Sequence, residues 1–540
     1  MDDLHRELLA AGFHISRQGA YLRLVPARSD SVHGRTHVKT VPVKLLRSTN
    51  DDDTNFCVGG IMYLEQLASL MGGEDVCIIS MDDKHKVPLA LAAADLQAPI
   101  LMHLKYRVRT WDHNFPVADK HSLTSSVMMA IPLSKNGMGR KEAVKGAGPI
   151  HVAIRSAKHS PTSPFTHAVD LERICDGQID TFNQFVKKKK GDVKPILMLF
   201  VDGGSDENPR YRKVHQMAAH MFKKYNLDAI YITTNAPGRS AFNRAERAMA
   251  PLSHDLSGLI LEHDHFGSHL DGSGVTVDTE KEVQNFEYAG SVLAEVWSQT
   301  KFDGFTVNAQ YIKPDQSELG QGSLLLQDQA WKQLHLRGGH YLLQIVKCEN
   351  PDCCSPLRST LLTVMPERFL PPLIPLCNVG GLHIPDPGNK DAPKNKYADL
   401  QTARSLNLAS LLPEKMKQEF KILPFDVCAP SLQGSVPKRV CKVCGVYFGS
   451  QVLLKEHMEM HRGKGEHKML PEELTRLETP MCILNARGDE LLVRVCRPYG
   501  TVVEWLPRSS LDINGLTVPE LGDQDVTPMP VITPAELFGG

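Results

Sequence analysis

Two acidic residues follow apolar stretches that have the composition of buried strands. Asp202 comes directly after the apolar residues 195–201, and Glu246 lies on a short predicted helix farther along the chain. A predicted helix over 210–225 and a second apolar strand over 229–234 separate them. This succession of strand, acid, helix, strand, loop and helix predicts that the two carboxylates lie side by side.

A third carboxylate is available upstream. Residues 76–81 form another continuous apolar run, which ends on Asp82 and Asp83. An ionised Asp at the end of a buried strand costs desolvation free energy unless a cation or hydrogen bonds compensate for it. Either Asp could join Asp202 and Glu246, and the sequence favours Asp82 because it ends the strand.

Three carboxylates in one place indicate metal-dependent chemistry. Magnesium prefers oxygen ligands and keeps several of its waters, so a few carboxylates hold it. Two such ions about 4 Å apart can activate an attacking oxygen and stabilise the leaving oxygen in phosphoryl transfer. We therefore predict that Asp82, Asp202 and Glu246 bind Mg²⁺ or Mn²⁺. Taken singly, each acid is more simply interpreted as a strand-end or helix-surface residue.

Three arginines lie close to the proposed acid on the helix. Arg239, Arg244 and Arg247 flank Glu246, where backbone phosphates of a nucleic acid would approach the metal ions. The whole chain shows no excess of positive charge, since its net charge is −1 and its isoelectric point is about 7.1. Positive charge for DNA binding is therefore local, and Arg239 or Arg244 is predicted to hold the backbone.

The most specific motif lies near the C-terminus and has the spacing Cys441-x2-Cys444-x12-His457-x3-His461. Two thiolates from a hairpin and two imidazoles on one side of a helix make a tetrahedral zinc site. Phe448 and Leu454 supply the small core that such a domain needs. The motif predicts a ββα zinc finger over residues 436–464, with Zn²⁺ as its cofactor.

The partner of this finger is left open by its sequence. The helix positions that would face DNA bases are Ser450, Leu453 and Glu456. None of them offers the paired donors that specify a purine, and one finger covers about 3 base pairs. A protein partner, or non-specific contact with phosphates, is at least as consistent with the motif as sequence-specific binding.

A second group of Cys and His residues precedes the finger. It consists of His340, Cys348, Cys353, Cys354 and Cys377. One interpretation is a second zinc site formed by Cys348 and Cys353 with Cys377 or His340. The other, which the irregular spacing favours, is a set of buried free thiols.

The N-terminal residues have the pattern of a helix-turn-helix. Gly12 ends a first apolar helix, and Ser16 can cap a second one that carries Arg17 and Tyr21. These two side chains would contact DNA in such a module. A plain helical hairpin that packs on the core explains the pattern equally well.

Composition predicts the environment of the chain. We expect no signal peptide and no membrane contact, because no apolar run is long enough to span a bilayer. The 12 cysteines have metal-like spacings rather than an even disulfide pattern. This predicts a reducing, intracellular compartment.

Several motifs resemble those of one enzyme superfamily. Residues 202–208 resemble the Asp-Asn-Gly or Asp-Gly-Gly segment of retroviral-type integrases. Residues 236–246 resemble the Pro-Tyr-Ser-Pro-x-x-Asn-Pro-x-Glu block of mariner-type transposases, although Arg244 stands where that block has Pro. Asp82 stands where these enzymes carry their first acid. Over residues 4–359 the chain is similar to eukaryotic transposon-encoded or transposon-derived proteins of the DDE superfamily.

This resemblance implies both a fold and an activity. The fold would be α/β, with an RNase H-like mixed-sheet core in which Asp82, Asp202 and Glu246 are catalytic and bind magnesium. The activity would be that of a DNA transposase, or of a protein derived from one, which cuts and joins DNA in the nucleus. DNA would be the partner, and a homodimer or higher synaptic assembly the working form.

Two alternatives to a transposase are kept. The first is a domesticated zinc-finger factor that binds DNA or protein without catalysis. The second is a structure-specific nuclease, which would hydrolyse strands but never join them. Metal-dependent nicking separates the first from an enzyme, and strand joining separates the second from a transposase.

Changes in composition predict seven segments along the chain. They are a helix-turn-helix-like piece (1–47), the α/β core (55–300), a Cys-containing extension (301–380), a linker (381–435), the zinc finger (436–464), a small β hairpin or barrel (478–512) and a disordered tail (513–540). The hairpin is predicted from residues 490–495 and 501–505, which flank the turn 498–500.

Overall fold

The computed structural model describes most of the chain between residues 52 and 462. The described residues are 52–90, 118, 120–134, 137–204, 206–239, 242–256, 259–272, 274–314, 329–387, 396–406 and 423–462, with the shorter pieces 5, 8–10, 12–16, 483–484, 490–497 and 500–507. The chain divides into two compact units, residues 1–51 and residues 52–540. In the first unit, His5 Nε2 contacts the main-chain oxygen of Ile15 at 2.9 Å. Arg17 and Tyr21, predicted to contact DNA, lie outside the described residues.

The second unit is built on a mixed sheet of eight strands in the order β8-β3-β2-β1-β4-β5-β10-β9. The strands are β1 (Val76–Pro88), β2 (Ser122–Ala130), β3 (Ile150–Ser156), β4 (Ile196–Val201), β5 (Ala229–Thr234), β8 (Asn308–Tyr311), β9 (Leu336–Gly338) and β10 (Leu342–Val346), while β6 (Lys301–Phe302) and β7 (Phe305–Thr306) pair separately. Strands β1, β2 and β3 form an antiparallel meander, and β4 and β5 continue the sheet parallel to β1.

Helices cover both faces of this sheet. The described helices of this unit are α1 (Thr54–Met71), α2 (Pro164–Cys175), α3 (Asn183–Val186), α4 (Arg212–Lys224), α5 (Arg244–Asp255), α6 (Thr279–Ser298), α7 (Gln329–His335), α8 (Leu361–Val364), α9 (Leu400–Ser405) and α10 (Gln451–Arg462). Helices α1, α5 and α6 share one apolar core with one face of the sheet, and α2 and α4 share a second core with the other face.

Burial on both faces explains why the central strands have continuous apolar sequences rather than alternating ones. Along β1, Ile78 belongs to the core under α1 and α5, and its neighbours Cys77 and Ile79 belong to the core under α2 and α4. All six residues of β4 are buried in the same way. Helices α2, α6 and α9 begin at side-chain caps, from Ser163, Asp278 and Asp399 respectively.

The strands predicted over residues 76–81, 195–201 and 229–234 are confirmed as β1, β4 and β5, and the helix predicted over 210–225 is α4. The sheet is larger than predicted. Strand β2 was not foreseen from the sequence, and β8, β9 and β10 add to the sheet residues that were assigned to the extension after residue 300.

The structure corrects the prediction that residues 381–435 form a linker. Its described part contains α9 and strand β13 (Lys396–Tyr397), which pairs with β11 (Pro375–Val379), itself paired with β12 (Leu382–Pro385). Tyr397 and Phe425 pack their rings against Phe56 of α1, with centroids 5.6 and 5.8 Å away. Burial of these aromatic side chains fixes the segment to the core. The proline-rich residues around them led the sequence analysis to assign a linker instead.

The predicted hairpin near the C-terminus is present. Strands β15 (Glu490–Arg497) and β16 (Gly500–Pro507) pair antiparallel, and β14 (Ile483–Leu484) adds a third strand beside β15. The tail predicted over 513–540 lies outside the described residues. Within the described part of the chain, no helix combines the length and apolar character needed to cross a membrane.

Candidate functional site

The sheet brings two of the predicted acids to the same edge. In the parallel pair β1 and β4, Ser80 lies opposite Phe200. Asp82 lies two residues after Ser80, and Asp202 lies two residues after Phe200. Their side chains therefore share one face of the sheet. The chain turns away sharply after Asp202 because Gly203 has a φ of +97°, and a Cβ there would lie 2.3 Å from Thr234 Oγ1.

Glu246 reaches the same place from helix α5. The helix begins after Asn243, whose side-chain amide donates to the main-chain oxygen of Met81 at 2.6 Å. Ser80 Oγ accepts a hydrogen bond from the amide of Ala245 at 3.0 Å and donates to the side chain of Asn243. Glu246 stands in the first turn of this anchored helix, close enough to Asp82 that its carboxyl group helps to raise the pKa of Asp82. The three predicted acids therefore meet, and we call them the acidic triad.

The triad concentrates negative charge in a partly buried position. Burial, and then the carboxylates of Glu207, Asp202 and Glu246, raise the pKa of Asp82 to about 10. The pKa of Asp202 is also raised, by burial and by Glu246 and Asp206. Asp82 is 5 % exposed, and its Oδ2 atom has no hydrogen-bond partner among the described residues. A buried carboxylate oxygen without a donor, beside two more carboxylates, is the environment that a divalent cation completes.

A second acidic group lies on the opposite face of β1. Asp83 points away from Asp82 and lies 3.8 Å from His167 Nε2, which is also 3.6 Å from Asp206 and 3.8 Å from Glu207. Burial alone would lower the pKa of His167, but the surrounding carboxylates outweigh it and raise the pKa to about 9. We call this group the His167 cluster. Because neighbouring residues of a strand point to opposite faces, Asp83 belongs to this cluster and Asp82 to the triad.

Glu207 connects the two groups. Its carboxylate accepts a hydrogen bond from the main-chain amide of Asp202 at 3.2 Å, and it contributes to the raised pKa of Asp82. Burial also raises the pKa of Glu207 itself to about 8. The turn after β4 thus brings a further acidic side chain, that of Glu207, close to both the triad and the His167 cluster.

Sequence reasoning missed several residues that position the triad. Ser80 and Lys84 each lie two residues from Asp82, and strand periodicity alone would have placed them on its face. Lys84 is buried, with its Nζ atom 2.5 Å from Ser253 Oγ on α5. Burial lowers the pKa of Lys84, and the nearby Glu246 opposes that shift. Asn243 could have been found as the polar residue that precedes a predicted helix.

The three arginines predicted to bind DNA differ in their surroundings. Arg244 is paired with the buried Glu65 of α1, and its guanidinium lies 5.6 Å from the centre of the Phe200 ring. Arg244 thus joins two helices of the core, and its predicted contact with DNA stays a prediction. Arg239 lies over the ring of Phe242 at 5.2 Å. Arg247 is exposed beside the triad.

The four residues of the C-terminal motif also meet. Ligand atoms of Cys441, Cys444, His457 and His461 all lie within 4.8 Å of one another. Val440 pairs with Tyr447 in a short antiparallel bridge, so the two cysteines lie on a hairpin, and α10 carries both histidines. His457 Nε2 is 3.1 Å from Cys444 Sγ and 3.0 Å from His461 Nε2. This arrangement could hold a metal ion.

The motif is docked on the core, and its helix face is covered. Glu456 forms an ion pair with Arg212 of α4 at 3.4 Å. Leu453 and Glu456 line a cavity of about 70 Å³ shared with α4 and β9. Tyr447 donates to Asp426 at 2.9 Å, and Asp426 also accepts from the amide of His340 at 2.6 Å. Two of the three positions that would read bases therefore face the protein itself.

The structure changes the membership of the second predicted group of Cys and His residues. Cys348, Cys353 and Cys354 meet at His335, with all four ligand atoms within 4.8 Å of one another. Cys377 lies on β11, outside that group. His340 contacts Arg210 and Arg439 instead, at 3.0 and 3.4 Å. Three of the five residues in the predicted group therefore meet, and His335 was not foreseen.

Comparisons with protein-family models, with curated proteins and with solved structures found no match to this chain.

Proposed function

We propose that the chain is a polynucleotidyl transferase of the DDE superfamily, with an RNase H-like core that cuts and joins DNA. The observation that supports this most is the meeting of Asp82, Asp202 and Glu246 at the ends of β1 and β4 and the start of α5. An antiparallel meander continued by two parallel strands is the sheet expected of that core. The orphaned Asp82 Oδ2 atom fits a cation that the other two acids share.

In this proposal Asp82 and Asp202 hold two magnesium or manganese ions, and Glu246 completes the ligand shell of one. When bound, the ions would activate the attacking oxygen and stabilise the leaving one. Water or a DNA 3′-hydroxyl would attack the phosphorus in line and lose its proton to solvent, so that one phosphorus–oxygen bond forms as another breaks and the leaving 3′-oxygen takes up a proton. Lys84 stays beside Glu246 and limits the net charge, and the exposed Arg247, next to Glu246 in the chain, would contact phosphate.

The C-terminal motif is proposed to be a zinc finger in which Cys441, Cys444, His457 and His461 bind Zn²⁺. The docked helix supports a finger that acts mainly within the protein. DNA as partner, a homodimer or synaptic assembly as working form, and the nucleus as location remain parts of the same proposal.

The test is metal-dependent nicking and joining of DNA by the full chain with Mg²⁺ or Mn²⁺. Asp202→Asn and Glu246→Gln are expected to lower both activities at least about 100-fold, because each removes a metal ligand. Glu295→Gln, which changes an exposed acid on α6, is the matched control. Equal activity of all three variants would remove the proposal, and nicking without joining would favour a nuclease.

One observation favours a non-catalytic factor as the second candidate. The ammonium group of Lys84 is buried close to Glu246 and could neutralise part of the triad without a metal. A domesticated protein would then keep its acids for stability alone. Calorimetric titration with Mg²⁺ separates the two, because the enzyme requires binding that Asp202→Asn weakens and the binding factor does not.

A further inference from the structure

The group formed by His335, Cys348, Cys353 and Cys354 has the dimensions of a metal site. His335 Nε2 lies 3.6 Å from Cys353 Sγ and 3.2 Å from Cys354 Sγ. Zinc bonds of about 2.3 Å to sulfur and about 2.0 Å to nitrogen in a tetrahedron place ligand atoms about 3.5 Å apart. The two distances from His335 Nε2 to the cysteine sulfurs lie on either side of that value. We call these four residues the Cys3His cluster.

The histidine is held in the tautomer that a metal needs. His335 Nδ1 lies 2.9 Å from the main-chain oxygen of Trp331, one turn earlier in α7. A carbonyl oxygen can only accept, so Nδ1 carries the hydrogen and Nε2 offers its lone pair to the sulfurs. The ring is also stacked on Trp331, with centroids 4.7 Å apart, and is fully buried. Its orientation is therefore set before any ion binds.

The cysteines are presented by a tight turn after β10. The amides of Cys353 and Cys354 both donate to the main-chain oxygen of Asn350, at 3.1 and 2.9 Å. This folds the chain back so that both thiols face Cys348, which is buried at the end of the strand. Because the turn is local, the adjacent pair supplies two ligands from one short segment.

Another His-containing group does not hold its histidine in the tautomer that leaves Nε2 free for a metal. His121, His269 and Glu282 also lie close together, but His269 Nδ1 accepts from the amide of Asn285 at 3.0 Å. That amide is oriented by Gly267 and Phe266, so the neutral ring carries its hydrogen on Nε2, towards His121. Lys158 Nζ lies 2.7 Å from Glu282 and supplies the positive charge. Hydrogen bonds and a lysine thus satisfy this group without an ion.

We propose that the Cys3His cluster binds one structural Zn²⁺ through three thiolates and His335 Nε2. Four protein ligands leave no open position, so the ion stabilises the fold and does not take part in chemistry. It fastens the turn after β10 to helix α7, which leads into the edge strand β9. On the far side of the turn, Asp228 accepts from Arg358 and Ser359, each at 2.8 Å. The ion thus adds an anchor to a loop that Ser355 and Pro356 already fix through hydrogen bonds with Asn226 and Lys347.

The test is the zinc content of the full chain together with its cobalt spectrum. Wild type is expected to contain two zinc ions, one in the finger and one in the Cys3His cluster. The double variant Cys348→Ser/Cys354→Ser is expected to keep one, and so is the finger variant Cys441→Ser/Cys444→Ser. Cys377→Ser, which changes the cysteine outside the group, is the matched control and should keep both.

Cobalt substitution tests the ligand set without disturbing it. In the finger variant the remaining Co²⁺ should show thiolate charge-transfer absorbance about three-fifths that of wild type, since three of five thiolates remain. A finger variant that binds no zinc or cobalt would overturn the proposal. So would a Cys348→Ser/Cys354→Ser protein that folds and still contains two zinc ions. Neither result bears on the acidic triad, which none of these variants changes.

Discussion

The side-chain amide of Asn243 donates a hydrogen bond to the main-chain oxygen of Met81 over 2.6 Å. This bond joins the residue before helix α5 to the residue before Asp82. Ser80, on the same strand as Asp82, completes the connection because its hydroxyl oxygen accepts from the amide of Ala245. The helix that carries Glu246 is thereby fixed to the strand that carries Asp82, and the distance between the two acids depends on it.

The first prediction concerns this connection. Asn243→Ala removes a buried donor and leaves the Met81 oxygen unpaired, which is expected to cost about 1–3 kcal/mol of stability. We expect a loss of Mg²⁺ affinity of about 10–100-fold, as for other residues that orient metal ligands. Titration calorimetry measures it, and Asn183→Ala, at an exposed hydrogen bond on α3, serves as the control. Unchanged affinity in a folded Asn243→Ala protein would contradict a positioning role.

The second prediction uses the charge of the triad. The folded pKa of Asp82, about 10, is above its unfolded value of about 3.9. Between these values the folded state binds a proton that the unfolded state has released, so this residue's contribution to stability falls as pH rises. Asp82→Asn removes the effect. In magnesium-free buffer the variant should therefore melt at a higher temperature than wild type, by a margin that grows from pH 5 to pH 8.

Thermal melting checks this result, with Glu295→Gln as the variant that should show no pH-dependent difference. Added Mg²⁺ should reverse the order, because wild type alone gains stability from binding. A margin that is constant with pH, or an Asp82→Asn protein less stable throughout, would contradict the charge argument.

The third prediction concerns the turn that follows Asp202. Gly203→Ala is expected to be more destabilising than the strain of its positive φ alone, because its Cβ would meet Thr234 Oγ1 at 2.3 Å. Gly191→Ala is a close control, since Gly191 has a similar φ of +93° with nothing within 4 Å. Strain at such a position costs about 1–2 kcal/mol. Chemical denaturation should show a larger loss for Gly203→Ala, accompanied by weaker Mg²⁺ binding.

The fourth prediction concerns the docked finger. A Cβ on Gly449 would lie 2.3 Å from the main-chain oxygen of Gly339. Gly449→Ala should therefore release the finger from the core while leaving its zinc in place, whereas Gly434→Ala, with nothing within 4 Å, should not. Limited proteolysis between the core and the finger is expected to become faster, and metal analysis should show unchanged zinc. Loss of zinc without faster cleavage would indicate that the glycine serves the finger's own fold.

Much of the core was predictable from local pattern. Continuous apolar runs of strand length predicted β1 and β4, and the residues that end them are Asp82 and Asp202. The Cys and His spacing near the C-terminus predicted which four side chains meet, since hairpin and helix geometry act over a few residues. In each case the information lies in neighbours along the chain.

What the sequence by itself determined is the order of strands, helices and acids and the C-terminal metal motif. Tertiary structure alone decided which residues of other elements each group meets. It paired Arg244 with Glu65, added His335 to the cysteines and turned Leu453 onto the core. Each of these contacts joins different elements of the fold. Their pairing follows from sheet order and from burial of surfaces on both faces, which no local period encodes.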